Sequence, residues 1–419
     1  MEELGQYHIH GEVHTTQQSL PLEDHPTFLG NSTALLRVPA ARLPRGAKLH
    51  VVDLRSDTVT KPRLEMRQAM AQAEVGDDDY GEDPTVNELQ QSAANLLGME
   101  GALFVPSATM ANLIAVMCHC RHRGAQVLLG KEAHIYVYEH GGVAQVAGVH
   151  CQLLQDLPDG MMDLDKLEQV IQQGHGSRYH PRSELVCLEN THSSAGGRAL
   201  PLQYLQEVRE LAERYGLRVH MDGARMLNAA VAQGVPPARL AQHCHSVSLC
   251  LSKGVGAPVG ALLAGPRELI AEAWRVRKLL GGGMRQAGVL AAAAHVGLDR
   301  VEETLQRDHV NARHFAQGVQ DLGSHICSVD PTAVETNIVM VTVSAPWLSP
   351  TELCERLAAV SPEESAVMGH AVSVLAFPWA QRSLRAVWHC DISARDTQLA
   401  LDKLRFVLEA CEQEHREAP

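Results

Sequence analysis

Nothing in the 419 residues approaches the roughly twenty apolar positions that a membrane helix needs. None of the ten cysteines is spaced as CxxC, and no basic stripe offsets a formal charge of −13. The first absence argues against a membrane partner and the last against a nucleic-acid partner. Cysteines such as Cys118, Cys187 and Cys250 sit in apolar runs, so a reduced, cytoplasmic compartment without a disulfide framework is expected. Histidine is plentiful at 23 residues, yet His243-Cys244-His245 has no second ligand pair at a zinc spacing, and no metal site is expected. Internal repeats and low-complexity tracts are missing as well.

What is present is an apolar fraction of 45%, enough for a large core in a chain long enough for two domains. Residues 1–30 are polar and mildly acidic, while Arg37, Arg42, Arg45 and Lys48 fall in a stretch without acids. Glu2 and Glu3 come before that stretch, so a disordered extension is expected over residues 1–50, with mitochondrial targeting as the alternative. Thr60 reads as a helix N-cap with Pro62 in the first turn, and Asp83-Pro84 starts another helix that Gly98 ends. Strand patterns at residues 127–130, 185–189, 218–221, 246–251 and 259–264 alternate with helical ones. That alternation predicts an α/β fold, a mainly parallel sheet with helices on both faces. A smaller α+β unit is expected from residue 298, giving an extension at 1–50, a large domain at 51–297 and a small domain at 298–419.

Three segments carry chemistry. In SLCLSKGVGAPVGALLAG an apolar alternation of Val247, Leu249 and Leu251 hands over to Lys253 and then to Gly254, Gly256 and Gly260. A lysine held and desolvated at a strand end can form an imine with an aldehyde, while the glycines let backbone pass close to a planar ligand; a lysine capping a sheet edge is the plainer alternative. In GLRVHMDGARMLNA, Asp222 ends a short strand, at the sheet edge where ligands bind. A carboxylate there suits the pyridine nitrogen of pyridoxal 5'-phosphate (PLP), although Asp-Gly is also a common turn. In GALFVPSATMANLIAVMCHC, residues Ser107, Ala108 and Thr109 open a helix, whose free amides and dipole would cradle a phosphate beyond ordinary N-capping.

Longer matches run through the same region: DLRSDTVTKP from Asp53, VGDDDYGEDPTVNELQ from Val75, LENTH from Leu188, HMDGAR, CLSKGVGAPVG, and LGGGMRQAGVLAAA from Leu280. With them the chain from Val52 onward resembles the low-specificity L-threonine aldolase family, which is PLP-dependent and of fold type I. The likeness covers most of residues 52–300, and the carboxyl-terminal third matches more loosely. It implies Lys253 as the cofactor-bearing lysine, Asp222 as the pyridine partner and His134 as the imidazole stacked on the ring and the candidate base. It also implies Arg225 near the ring hydroxyl and the substrate carboxylate, Ser56 and Arg385 as grips on that carboxylate, and Arg285 as a phosphate contact, in a homo-oligomer, from a neighbouring subunit.

Some positions depart from the family pattern. Ala108 stands where relatives usually have glycine, a family histidine near the substrate hydroxyl aligns with Tyr179 or with His180, and Trp388 replaces a smaller residue close to Arg385, where its bulk could narrow the pocket. The resemblance implies retro-aldol cleavage of L-threonine or L-allo-threonine to glycine and acetaldehyde, by a dimer or tetramer acting in threonine catabolism. Other PLP reactions, transamination or β-elimination, and a catalytically silent scaffold are the alternatives on the same fold.

Overall fold

The computed structural model describes residues 49–417. The expected extension therefore lies outside the described residues, except that Leu49 and His50 already belong to a strand. In chain order the strands are β1 (Leu49–Asp53), β2 (Gly101–Val105), β3 (Ala125–Gly130), β4 (His150–Leu154), β5 (Arg182–Glu189), β6 (Arg218–Asp222), β7 (Ser246–Cys250), β8 (Ala261–Gly265), β9 (Cys327–Ser328), β10 (Ile338–Val343), β11 (Ala371–Leu375), β12 (Phe377–Ala380) and β13 (Ser383–Val387).

A seven-stranded sheet in the order β2-β8-β7-β6-β5-β3-β4 forms the centre. Five neighbours, β7 to β4, run parallel, and only β8 opposes its partners. This is the mainly parallel α/β sheet that the sequence predicts. The residues of β3, β7 and β8 are buried throughout, as expected when helices cover both faces. The helices α1 (Leu64–Gln72), α2 (Pro84–Leu97), α3 (Ala108–His119) and α4 (His134–Val137) come first in chain order. Asp83 caps α2 by accepting from the Val86 amide at 3.0 Å, Pro84 occupies its first turn, and Gly98 ends it in the left-handed region at φ 63°, all as read from the sequence. The helix expected from Thr60 begins instead at Leu64, after a single 3-10 turn at Asp57–Val59.

A four-stranded antiparallel sheet, β12-β13-β10-β9, and the pair β1-β11 make up a second unit with its own apolar core. The expected boundary at residue 51 falls inside β1, which joins this second unit. Strand β1 pairs in parallel with β11, residue 49 against 371, and Val52 and Leu54 pack into the carboxyl-terminal core. A strand whose partner follows hundreds of residues later leaves no local trace of which sheet it joins. Trp388 belongs to the same core: it is fully buried, 4.9 Å from the Phe315 ring, and donates from Nε1 to Thr397. It does not narrow a pocket.

The long helix Val301–Asp321 ties the two units together, with Leu305 in the large core and Ala312, Phe315, Ala316 and Val319 in the small one. Between them sits Asp308, wholly buried, with neither carboxylate oxygen hydrogen-bonded and Arg307 only 3.9 Å away. Burial pushes its carboxyl up to about 7, against the pull of Arg307. Because the folded value exceeds the unfolded one near 3.9, the folded chain holds a proton that the unfolded chain has lost. Stability is therefore full below about pH 4 and falls as pH rises toward 7. Asp308→Asn should raise the melting temperature at pH 8 by several degrees and much less at pH 5; equal shifts at both pH values would contradict this.

Candidate active site

The carboxyl ends of the parallel strands bring the chemistry together, because register sets Glu189 of β5 beside Asp222 of β6 and Asp222 beside Ser248 of β7. Successive strand residues alternate faces. His220 and Asp222 thus share one face with Ser246 and Ser248, while Val219, Met221, Val247 and Leu249 fill the large core on the other. Helix α3 packs on the polar face and turns Asn112 toward it. Asn112 Nδ2 donates to Asp222 Oδ2 and to Glu139 Oε1, each at 2.9 Å. Asp222, 2% exposed, also accepts from the Ala224 amide at 3.1 Å.

His134 opens α4. Its backbone amide donates to Glu189 at 2.8 Å and its Nδ1 meets Glu139 Oε1 at 3.1 Å. Burial disfavours the charged ring, but the bond that Nδ1 donates to Glu139 and the carboxylates of Asp222 and Glu189 outweigh it and hold His134 above the ordinary imidazole value. Burial, with Asp222 nearby, lifts Glu139 above the usual range. His134, Glu139 and Asp222 bring their ligand atoms within 4.8 Å of one another; Asn112 already spends both amide hydrogens on the two acids.

At the start of α3, Ser107 is an extended N-cap that accepts from the Met110 amide at 3.2 Å. The amides of Ala108 and Thr109 fall in the first turn, where a helix offers no acceptor of its own. Ser107 and Thr109 are exposed, whereas Ala108 is half-buried and packs on the apolar cluster around Ala111 and Ile114. Ala108 also follows the cap as an ordinary helical residue, so this turn needs no glycine there. Lys253 lies in the turn after β7, where its carbonyl accepts from Gly256 N at 2.9 Å and from Thr60 Oγ1 at 3.5 Å. Its charge helps to hold the Asp57 carboxyl down.

Two arginines close the site. Arg225 forks onto Asp57 with two bonds of 2.7 Å, both residues buried. Asp57 faces the largest cost from burial, and Arg225, Lys253 and Arg385 more than offset it, so its carboxyl is held far below the ordinary range. Arg225 is thereby committed to Asp57 through the two-point geometry expected for a substrate carboxylate. Arg385 on β13 lies 4.0 Å from the Trp379 ring centre and donates from Nη1 to Ser193 Oγ at 3.1 Å, leaving its buried Nε without a partner. Burial, reinforced by Arg225, pulls its guanidinium down to about 10. Ser56 caps the turn that holds Asp57 and reaches that carboxylate at 3.4 Å.

The remaining expected residues fall elsewhere. Tyr179, 94% exposed, and His180 precede β5. That eight-residue strand carries the chain on by about 3.3 Å per residue before it reaches Glu189. Both therefore lie at the opposite edge of the sheet, and within one chain neither is brought to Lys253. Arg285 lies in a loop that approaches α3, where a Cβ on Gly282 would crowd Met110. Its half-exposed guanidinium pairs with Asp77 at 3.2 Å and Asp79 at 2.8 Å.

The family described as beta-eliminating lyase matches residues 53–346. The chain is 49% identical over 290 residues to low-specificity L-threonine aldolase 1 of Arabidopsis thaliana, covering 69% of this chain and 80% of that one. It is 44% identical over 293 residues to the low specificity L-threonine aldolase of Escherichia coli K12, covering 70% and 85%. Its fold matches the solved structure of a Leishmania major threonine aldolase with a TM-score of 0.67 at 17% identity, over 85% of this chain and 99% of that one. The chain belongs to the beta-eliminating lyase family and, within it, to the low-specificity L-threonine aldolases.

Proposed function

We propose that the protein is a PLP-dependent aldehyde-lyase that cleaves L-threonine or L-allo-threonine to glycine and acetaldehyde. The observation that carries the reading is Arg385, a guanidinium nine-tenths buried beside Arg225 with an unpartnered Nε, which needs an anionic ligand of carboxylate shape. The residues present also fit the cofactor. A first helical turn with two exposed hydroxyls suits its phosphate, Asp222 held by Asn112 suits its ring nitrogen, and Lys253 supplies an amine for its aldehyde. When bound, PLP supplies the electron sink that makes cleavage at the alpha carbon feasible.

The chain's own residues do the rest. Arg385, with Ser193 and Ser56, holds the amino-acid carboxylate and so orients the bonds at the alpha carbon. With Nδ1 engaged by Glu139, His134 has Nε2 available to take the proton of the substrate's β-hydroxyl. Loss of that proton lets the oxygen become the aldehyde carbonyl as the bond between the alpha and beta carbons breaks. A proton taken up at the alpha carbon then completes glycine. The finer parts of the reading are a cytoplasmic homo-oligomer, a dimer or tetramer, with Arg285 turned to a phosphate across the subunit interface, a large domain to residue 297 and a small one after it.

A coupled assay for acetaldehyde, with PLP and threonine, tests the function. Aldehyde release is expected, and amino-group transfer to a keto acid without aldehyde would contradict it. In the same assay Arg385→Ala should lower kcat/KM about tenfold to over a hundredfold, as loss of a buried charge-assisted bond of ~1.5–3 kcal/mol implies, and Arg385→Lys should recover only part. Parent-like efficiency in the alanine variant would remove Arg385 from the site. The pH profile carries a further expectation. A base must be unprotonated, so kcat/KM falls as pH drops through the raised pKa of His134. Glu139→Gln removes the carboxylate that favours the charged ring and should move that acid limb to lower pH; an unmoved limb would show that His134 is not the base.

A further inference from the structure

Helix α3 presents two polar residues to the sheet two turns apart, Asn112 and His119, on one face. Opposite them stand His220 and Ser246, paired in register and both 0% exposed. The contacts form one line. His119 Nε2 lies 2.8 Å from Ser246 Oγ, Ser246 Oγ lies 2.8 Å from His220 Nδ1, and His220 Nε2 lies 3.1 Å from Asn112 Oδ1. Asn112 Nδ2 then reaches Asp222 Oδ2.

The direction of every bond in this line follows from its end. Asn112 faces two carboxylates with one end of its amide, so that end is the nitrogen and the other is an oxygen that can only accept. Ser248 Oγ gives that oxygen one hydrogen at 2.7 Å, and His220 must give the other from Nε2. A neutral His220 then has a bare Nδ1 that takes the Ser246 hydroxyl hydrogen. Ser246, having spent its only hydrogen, accepts from Nε2–H of His119. Burial keeps both rings uncharged: it pushes His220 down to about 4 against the pull of Asp222, and His119 down to about 3, helped by the nearby His220, His245 and Arg218.

We propose that His119, Ser246, His220 and Asn112 form a one-way chain of hydrogen-bond donors that ends on Asp222 and fixes its carboxylate as an acceptor toward the cofactor ring. The proposal rests on the reading of Asp222 as the ring partner. It makes His220 and Ser246 positioning residues, which act through Asn112 and touch neither ring nor substrate. The chain starts at the far edge of the sheet, where half-buried His119 lines an open cleft with His122, Arg182, Glu184 and Arg218. The polar face of β6 and β7 is thus a conduit between the two edges of the sheet.

Two measurements test it. Nitrogen-15 NMR of the full-length protein labelled at histidine, with His220 assigned from the signals lost in a His220→Gln variant, should find its proton on Nε2 and none on Nδ1 at neutral pH. A proton on Nδ1, or on both nitrogens, would overturn the chain. Glutamine can still donate to Asn112 and accept from Ser246, whereas leucine of similar bulk can do neither. PLP dissociation measured by equilibrium dialysis should therefore change little in His220→Gln and weaken by about tenfold in His220→Leu, the cost of a buried unsatisfied group. Equal affinities in the two variants would mean that His220 only fills space, and would refute the proposal. A parent protein that bound no PLP would refute the ring reading instead, and the tautomer, which needs no cofactor, would still decide the chain.

Discussion

Two buried carboxylates, Asp222 and Glu139, share the amide nitrogen of Asn112. Like charges this close in a buried setting repel unless donors hold each of them. Much of the centre answers to that constraint. Helix α3 must be seated so that residue 112 meets the end of β6, and the facing residues of β7 must be small and polar, hence Ser246 and Ser248. Glu139 takes its second bond from His134, which fixes the imidazole in one orientation. The first turn proposed to cradle the phosphate is placed by the same contact, since Ser107 and Thr109 sit about one turn before Asn112 on the same helix. Seating one asparagine thus sets the distance between the start of α3 and the Asp222 carboxylate, the two proposed cofactor anchors.

A second charge pairing joins the two halves of the molecule. Asp57 follows β1, which belongs to the smaller sheet, while Arg225 follows β6 of the larger one; their two-point bond locks one to the other beside Lys253. Asn337, next to β10, donates to Asp57 as well, at 3.3 Å. Because Asp57 absorbs the fork of Arg225, the guanidinium with a donor to spare is Arg385, delivered by β13 over Trp379 and Ser193. Removing Asp57 alone would leave a buried, uncompensated charge, a loss of about 3–5 kcal/mol in comparable pairs. The arginine proposed to hold the substrate carboxylate therefore comes from the small unit, and its placement depends on how that unit is docked.

The parts of the site legible in the sequence are those with a local signature. Lys253 follows a strand pattern into glycines, Asp222 ends a strand, and Ser107 starts a helix, so neighbours within a few residues announce each of them. Asn112 and Asp57 escaped notice because their meaning lies in partners 110 and 168 residues away; the only local hint for Asp57 was its place in the DLRSDT match. His220 stands two residues from Asp222, the strand period that puts both on one face, and could have been found from that spacing. Trp388 misleads for the converse reason. Three residues from Arg385, an odd step along extended chain, it turns into the core instead of the site. The large sheet was legible from its alternation with helices, whereas the pairing of β1 with β11 was not, because register between distant strands leaves no period to read.

The central claim is that Asp222, held by Asn112, marks where the cofactor's ring nitrogen lies. A crystal structure of the protein grown with PLP tests it most directly. The account predicts the ring nitrogen within hydrogen-bond reach of the Asp222 carboxylate, the phosphate on the first turn of α3 at Ser107–Thr109, and Lys253 joined to the cofactor's aldehyde carbon. A ring nitrogen turned away from Asp222, or a phosphate bound elsewhere than the start of α3, would contradict it.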